Sequence, residues 1–484
     1  MPDGGEAVTS EAGTGWQGDV LVVGAGTAGL PAAIFAARRG ARVVVAEAEA
    51  TAGGTLRRAA GHVSAAGTRL QREKGIADSP EAHAADIARI TGGTADAEMV
   101  ALACELAPRT VAWLDELGLD WDPASPAILH ALEAYAVPRT YWGRKRAVSI
   151  AEVLVPLFEA EVAAGRITFL PGLRLTALDR AAGVVTGARF IDAEGRAHRI
   201  DAAQTVLTSG GYTANPTLFA ELTHGLPLCG GAEPANTGAG LLAARAVGAM
   251  LRPARHFLPH VGGIEDPPGS HRTARADNPA LMPERPPWEI WVDRNGARAM
   301  REDEPDRVTQ QKALTRVPDM TFWIVWDDAI AAAAPTLLPA WRGARLDAAW
   351  NRHPAFTRAD SLKALASATG IDPAGLAATV AAWNAALETG APDPLGRQHR
   401  PMPIVQPPFF AVKNHGTTAT SSGGLAVDRD CRVLEAPGRP IPGLHAAGEI
   451  LGRELLSGNA FVGGMSITPA LAFGRRLGEA GLVW

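Results

Sequence analysis

The chain has 484 residues, too many for one ordinary domain, and its 47% hydrophobic and 20% charged residues are globular composition. A formal net charge of −5 excludes a broadly basic surface, so nucleic acid is not an expected partner. The three cysteines, Cys104, Cys229 and Cys431, are scattered without a CxxC pair, which leaves no pattern for disulfides, a metal or an iron–sulfur cluster.

Residues 1–18 are acidic and rich in Gly and Ser, and read as a disordered tail, not a signal peptide. No apolar run reaches the ~18–20 residues that a membrane helix needs. The longest candidate, AIAAAAPTLLPAW, is broken by Pro335 and Pro339. These features predict a cytoplasmic protein without a membrane span.

Asp19–Val23 is an apolar, β-branched run and predicts a buried parallel strand. Gly24, Gly26, Thr27, Ala28 and Gly29 follow as a GxGxxG loop, and Leu30–Arg39 has helical spacing closed by Gly40. Arg42–Ala46 predicts a second strand, with Glu47 and Ala48 at its end. Gly24 permits the turn, Gly26 admits a pyrophosphate, and Gly29 lets helix and strand pack closely. The helix N-terminus favours phosphate, and an acid about 20 residues on takes ribose hydroxyls. That acid disfavours a 2′-phosphate, so NADP is not expected.

Residues 53–68, GGTLRRAAGHVSAAGT, are too irregular for a helix and too small-residued for a core strand. They read as a backbone lining for a flat group. Residues 79–120 predict helices opened by Ser79-Pro80-Glu81 and closed by Gly118. A further helix spans 149–164, and short strands fill 166–208, ending at Ser209-Gly210. Residues 252–290 are Pro-rich and mark a boundary. WEIWVDRNGARAM predicts a hairpin at Asn295-Gly296, FWIVWDD a strand, and 361–389 helix. Near the C-terminus, GLHAAGEILG contains Gly448 and Glu449, and GGMSITPALAFGR is a second glycine entry to a helix.

Taken together, GGTLRRAAGHVSAAGT, TVLTSGGYTANP, WVDRNGARAMREDE, GLHAAGEILG and GGMSITPALAFGR resemble the flavoprotein superfamily of fumarate reductase, succinate dehydrogenase and 3-ketosteroid 1-dehydrogenase. The resemblance implies an α/β fold: a Rossmann-like FAD-binding domain, residues 19–254 and 411–484, carrying an inserted α+β capping domain, 255–410. It implies that Gly54, Thr55, Gly61, His62 and Val63 run along the isoalloxazine. It implies that Glu449 binds ribityl or ribose hydroxyls, and that Met465, Ser466 and Ile467 face the N1/C2 edge of the flavin. Thr55-Leu56 stands where succinate dehydrogenase has its flavin-linking His, so non-covalent FAD is expected.

The resemblance also bears on the reaction. The arginine that fumarate reductases place before the C-terminal Gly-Gly is replaced by Phe461 or Val462, and TTATSSGG (417–424) lacks their histidine. This implies a less charged, more apolar carbonyl substrate. The expected reaction is α,β-dehydrogenation of a cyclic ketone, with Gly464 polarising the carbonyl and Tyr135, Tyr141 or His260 taking the α proton. A diffusible acceptor or quinone would reoxidise the flavin. The alternative is a fumarate- or enoate-type reductase with Arg307 as proton donor.

Overall fold

The computed structural model describes residues 15–129, 135–230, 234–273 and 285–480. The tail expected at 1–18 lies mostly outside them. Strand β1, Gly15–Val23, lies inside an eight-stranded sheet. It pairs in parallel with β2, Val43–Glu47, on one side and with Ala197–Leu207 on the other. Ile167–Pro171 extends the sheet beyond β2, and Arg439–Ala446 pairs in parallel with Ala197–Leu207. An antiparallel hairpin, Arg174–Ala181 with Val184–Ile191, attaches to the same strand.

The register fixes where these strands stop. Val23 sits opposite both Ala46 and Leu207, and Leu207 sits opposite Ala446. Four parallel strands therefore end level, and each runs into a loop at one edge of the sheet. That edge is where open α/β sheets bind ligands.

Helix α1, Gly29–Arg38, returns from β1 to β2 and is buried along most of its length. The C-terminal helix, Ile467–Glu479, packs against it. Small residues permit the close approach: a Cβ on Gly474 would lie 2.1 Å from the Ala28 carbonyl oxygen. The two ends of the chain thus form one layer on the sheet.

A second, antiparallel sheet runs in the order Ile290–Val292, Thr321–Asp327, Phe409–His415, Phe356–Ala359. It has its own apolar core, including Trp291, Trp323, Trp326 and Trp383. Arg298 pairs with both Glu302 and Asp393 beneath Trp383, and Arg397 lies 3.5 Å from Glu302, so two buried cations face two buried acids.

Two local expectations change. Asn295-Gly296 makes a tight turn, with the Asp293 N–H donating to the Ala297 carbonyl at 2.9 Å, but among the described residues no second strand follows it. Ile290–Val292 pairs instead with Thr321–Asp327, because the chain past the turn is drawn off to place Arg298 between its acids. The boundary expected at 411 falls inside the strand Phe409–His415, which stays in the second sheet to its end.

Candidate functional site

The glycine loop after β1 is shaped by its neighbours. Gly24 has a φ of +103°, and its carbonyl accepts from Thr208 Oγ1 at 2.7 Å. A Cβ on Gly29 would lie 1.8 Å from that carbonyl, so only glycine fits there. Gly26 is different: a Cβ there would meet nothing within 4 Å. The space above Gly26 opens into a cavity of about 800 Å³.

Glu47 is buried at the end of β2. Its Oε2 accepts from the Ala25 N–H at 2.7 Å and its Oε1 from the Glu49 N–H at 2.9 Å. Burial raises its pKa above the ordinary carboxylate range, against those backbone bonds. An ionised carboxylate offers about four acceptor positions, so roughly two remain for a ligand.

The loops after the other two level strands complete this edge. Ser209 and Gly210 follow Leu207, and Gly448 and Glu449 follow Ala446. Glu449 Oε1 accepts from the Ser421 N–H at 2.9 Å and from Ser421 Oγ at 3.0 Å, and Asn236 Nδ2 lies 3.3 Å from both carboxylate oxygens. Ser209 Oγ is buried on this wall with no hydrogen-bond partner among the described residues.

The cavity wall contains Gly24, Gly26, Thr27, Ala28, Glu47, Ala48, Gly54, Thr55, Ser209, Gly210, Gly448, Glu449, Met465, Ser466 and Ile467. Gly29 stands behind it as a packing residue. Gly61, His62 and Val63 do not line it; a Cβ on Gly61 would strike Ala147, and His62 lies edge-on to Trp142.

The expected catalytic residues divide. His260 lines the cavity, and its backbone pairs in both directions with Thr417, at 2.7 and 2.9 Å. Tyr135, Tyr141, Arg307 and Gly464 do not line it. Tyr141 is fully buried, its hydroxyl 2.6 Å from Thr68 Oγ1, and burial raises its pKa. Arg307 opens the helix Arg307–Leu314 and donates to Gln310 Oε1 at 3.1 Å. Arg139, beside the tyrosines, is spent on Asp78 and Asp86.

Tyr135 sits behind the second glycine loop. Its hydroxyl donates to the Gly463 carbonyl at 2.9 Å. It also lies 3.1 Å from His83 Nε2 and 3.2 Å from Ser64 Oγ. Ser64 and His83 are themselves 3.0 Å apart, and burial pushes the His83 pKa down to about 3, so this ring is neutral. The cluster has the geometry of a brace, because Gly464 packs so tightly that a Cβ would lie 2.3 Å from that of Ser64.

Two wall residues carry no expectation from the sequence. Thr418 Oγ1 is buried without a hydrogen-bond partner among the described residues, and so is Arg453 Nη1. The only local sign was a single arginine in GEILGRELLSG, masked by the apparent partner Glu454 next to it. Glu454 accepts from the Arg255 backbone N–H at 2.8 Å, while its charge still acts on the Arg453 guanidinium.

The sequence pattern of the family described as "FAD binding domain" matches residues 19–467. The chain belongs to that family. The cavity agrees with FAD on its own terms: open space over Gly26, spare acceptors on Glu47, and an orphaned Ser209 hydroxyl. A probable fumarate reductase of Shewanella frigidimarina is 27% identical over 95% of this chain and 74% of its own length. Digoxin reductase of Eggerthella lenta is 28% identical, covering 96% and 87%. The open form of a flavocytochrome c3 fumarate reductase superposes with a TM-score of 0.71 at 25% identity, over 96% of this chain and 78% of its own. The protein is an FAD-dependent oxidoreductase of the fumarate reductase and ketosteroid dehydrogenase superfamily. Among the described residues, no helix is long and apolar enough to cross a membrane.

Proposed function

We propose that this protein oxidises a small carbonyl compound at the carbon–carbon bond next to its carbonyl, using non-covalent FAD. The observation that carries this is His260, the one histidine among the described residues that line the cavity. Imidazole is suited to moving a proton near neutral pH. His260 would take the α proton, and the pairing of its backbone with Thr417 fixes where it stands. Thr418 Oγ1, without a partner among the described residues, would donate to the carbonyl and stabilise the charge that develops there. Bound FAD would supply the two-electron sink for this dehydrogenation.

The segment between the two halves of the first sheet supports the reading as a cap, since its His260, Gly262, Gly263 and Thr273 line the same cavity. A diffusible acceptor would complete the cycle. The second reading is reduction of a conjugated double bond, favoured by relatives named as fumarate and digoxin reductases. His260 would then give the proton, since Arg307 is not on the wall.

The test is anaerobic mixing with a panel of cyclic ketones while following the flavin band near ~450 nm. Bleaching by a saturated ketone is expected. If none bleaches it, yet dithionite-reduced protein is reoxidised by fumarate or another enoate, the reaction runs the other way.

A further inference from the structure

We propose that Arg57 clamps the pyrophosphate of FAD, adding a cation to the anion site that the first glycine loop forms. The inference stands apart from the reading of the reaction and holds in either direction of it.

The glycine loop meets a diphosphate with few resources. It carries no cation of its own, and its Ala25 N–H already donates to Glu47 at 2.7 Å. Glu47 and Glu449 line the same cavity as carboxylates. A diphosphate adds negative charge beside them, and backbone N–H groups offer only partial charges in return.

The segment 51–57 supplies the missing charge. The Gly53 N–H donates to the Ala25 carbonyl at 2.8 Å, and a Cβ on Gly54 would lie 3.1 Å from the Gly26 Cα. The segment therefore lies directly against the loop whose Gly26 opens onto the cavity. Arg57 lines that cavity and folds back over the same turn, where a Cβ on Gly53 would lie 3.7 Å from its Nε. Its Nη2 donates to Thr51 Oγ1 and to the Ala52 carbonyl. These bonds hold the guanidinium in place before any ligand arrives, so little ordering is left for binding to impose. Among the described residues, Arg57 makes no ion pair, and its Nε and Nη1 have no hydrogen-bond partner. Phosphate oxygens complete such a group with charge-assisted hydrogen bonds. The side chain is exposed, so salt should weaken what it does.

The experiment follows release of FAD from the holoenzyme into the filtrate of a membrane that retains protein, at about 25 and about 400 mM NaCl. The wild type is expected to release FAD several-fold faster at the higher salt. Arg57→Gln should release it about tenfold faster than the wild type at the lower salt, the low end for a hydrogen bond to a charged group because the site is open to water. Its rate should respond less to salt. Thr51→Val loosens the guanidinium but keeps its charge, and should release FAD at an intermediate rate with the salt dependence retained. A wild-type rate that salt does not change would overturn the proposal, without any variant being needed. Equal release by Arg57→Gln and the wild type would also overturn it. So would release by Arg57→Gln that is faster by the same factor at both salts, which marks a residue that only holds its own loop.

Discussion

Across 328 residues of chain, the Tyr135 hydroxyl donates a hydrogen bond to the carbonyl of Gly463 at 2.9 Å. A tyrosine that looks catalytic in the sequence instead holds up the loop behind the C-terminal wall. Tyr135→Phe should leave that carbonyl and the His83–Ser64 pair short of a partner. We expect a loss of about 1–3 kcal/mol in unfolding free energy. A changed spectrum of the bound flavin should accompany it, which a purely structural residue remote from the site would not give. An unchanged spectrum would sink the bracing role.

Gly26 and Gly29 should separate cofactor binding from folding. Nothing lies within 4 Å of a Cβ on Gly26, whereas one on Gly29 would overlap the Gly24 carbonyl oxygen at 1.8 Å. Gly26→Ala should purify as folded protein with little flavin. Gly29→Ala should fail in expression or melt at a much lower temperature. Equal flavin content in wild type and Gly26→Ala would show that the space above this glycine is not where phosphate sits.

His260→Asn should lower kcat by a factor of about 10²–10⁴, the usual contribution of a general base. The substrate Kd, read from the flavin spectrum, should change little. A fall in binding with kcat preserved would place His260 in recognition instead.

Stability should fall as the solution is acidified below the ordinary histidine range. Burial holds His83 near a pKa of about 3, and His415 and His445 near about 4, against a usual 6.5. Below pH 6.5 the unfolded chain takes up protons at these sites and the folded chain does not. Each site therefore removes up to ~1.4 kcal/mol per pH unit until its folded pKa is reached. His83→Gln should flatten the melting temperature against pH between 6.5 and 4. A profile parallel to the wild type would show that His83 is protonated in the fold.

The first glycine loop was readable because all its parts are local. Strand, Gly24, Gly29, helix and Glu47 lie within 33 residues, and each has a near neighbour that demands it. The second glycine loop, with Met465 to Ile467, was readable by resemblance. Tyr135 and Tyr141 stand off the cavity wall, and Arg139 beside them shows why the sequence does not reveal this. Aromatics beside an arginine in a loop look like a pocket, but the acids that neutralise Arg139 come from Asp78 and Asp86, about 50 to 60 residues earlier. Arg453 was hidden because Glu454, beside it in sequence, shares its carboxylate with the Arg255 backbone N–H. Charge balance is a property of the fold, and a window of sequence cannot close it.

Gly26 and Met465 face one cavity from opposite ends of the chain, some 440 residues apart. A ribosome adding roughly 5–20 residues per second takes roughly 20–90 s to get from one to the other. Through that interval the emerging sheet presents an unfinished groove. A flavin that needs both walls would therefore be taken up only after Met465 has been made.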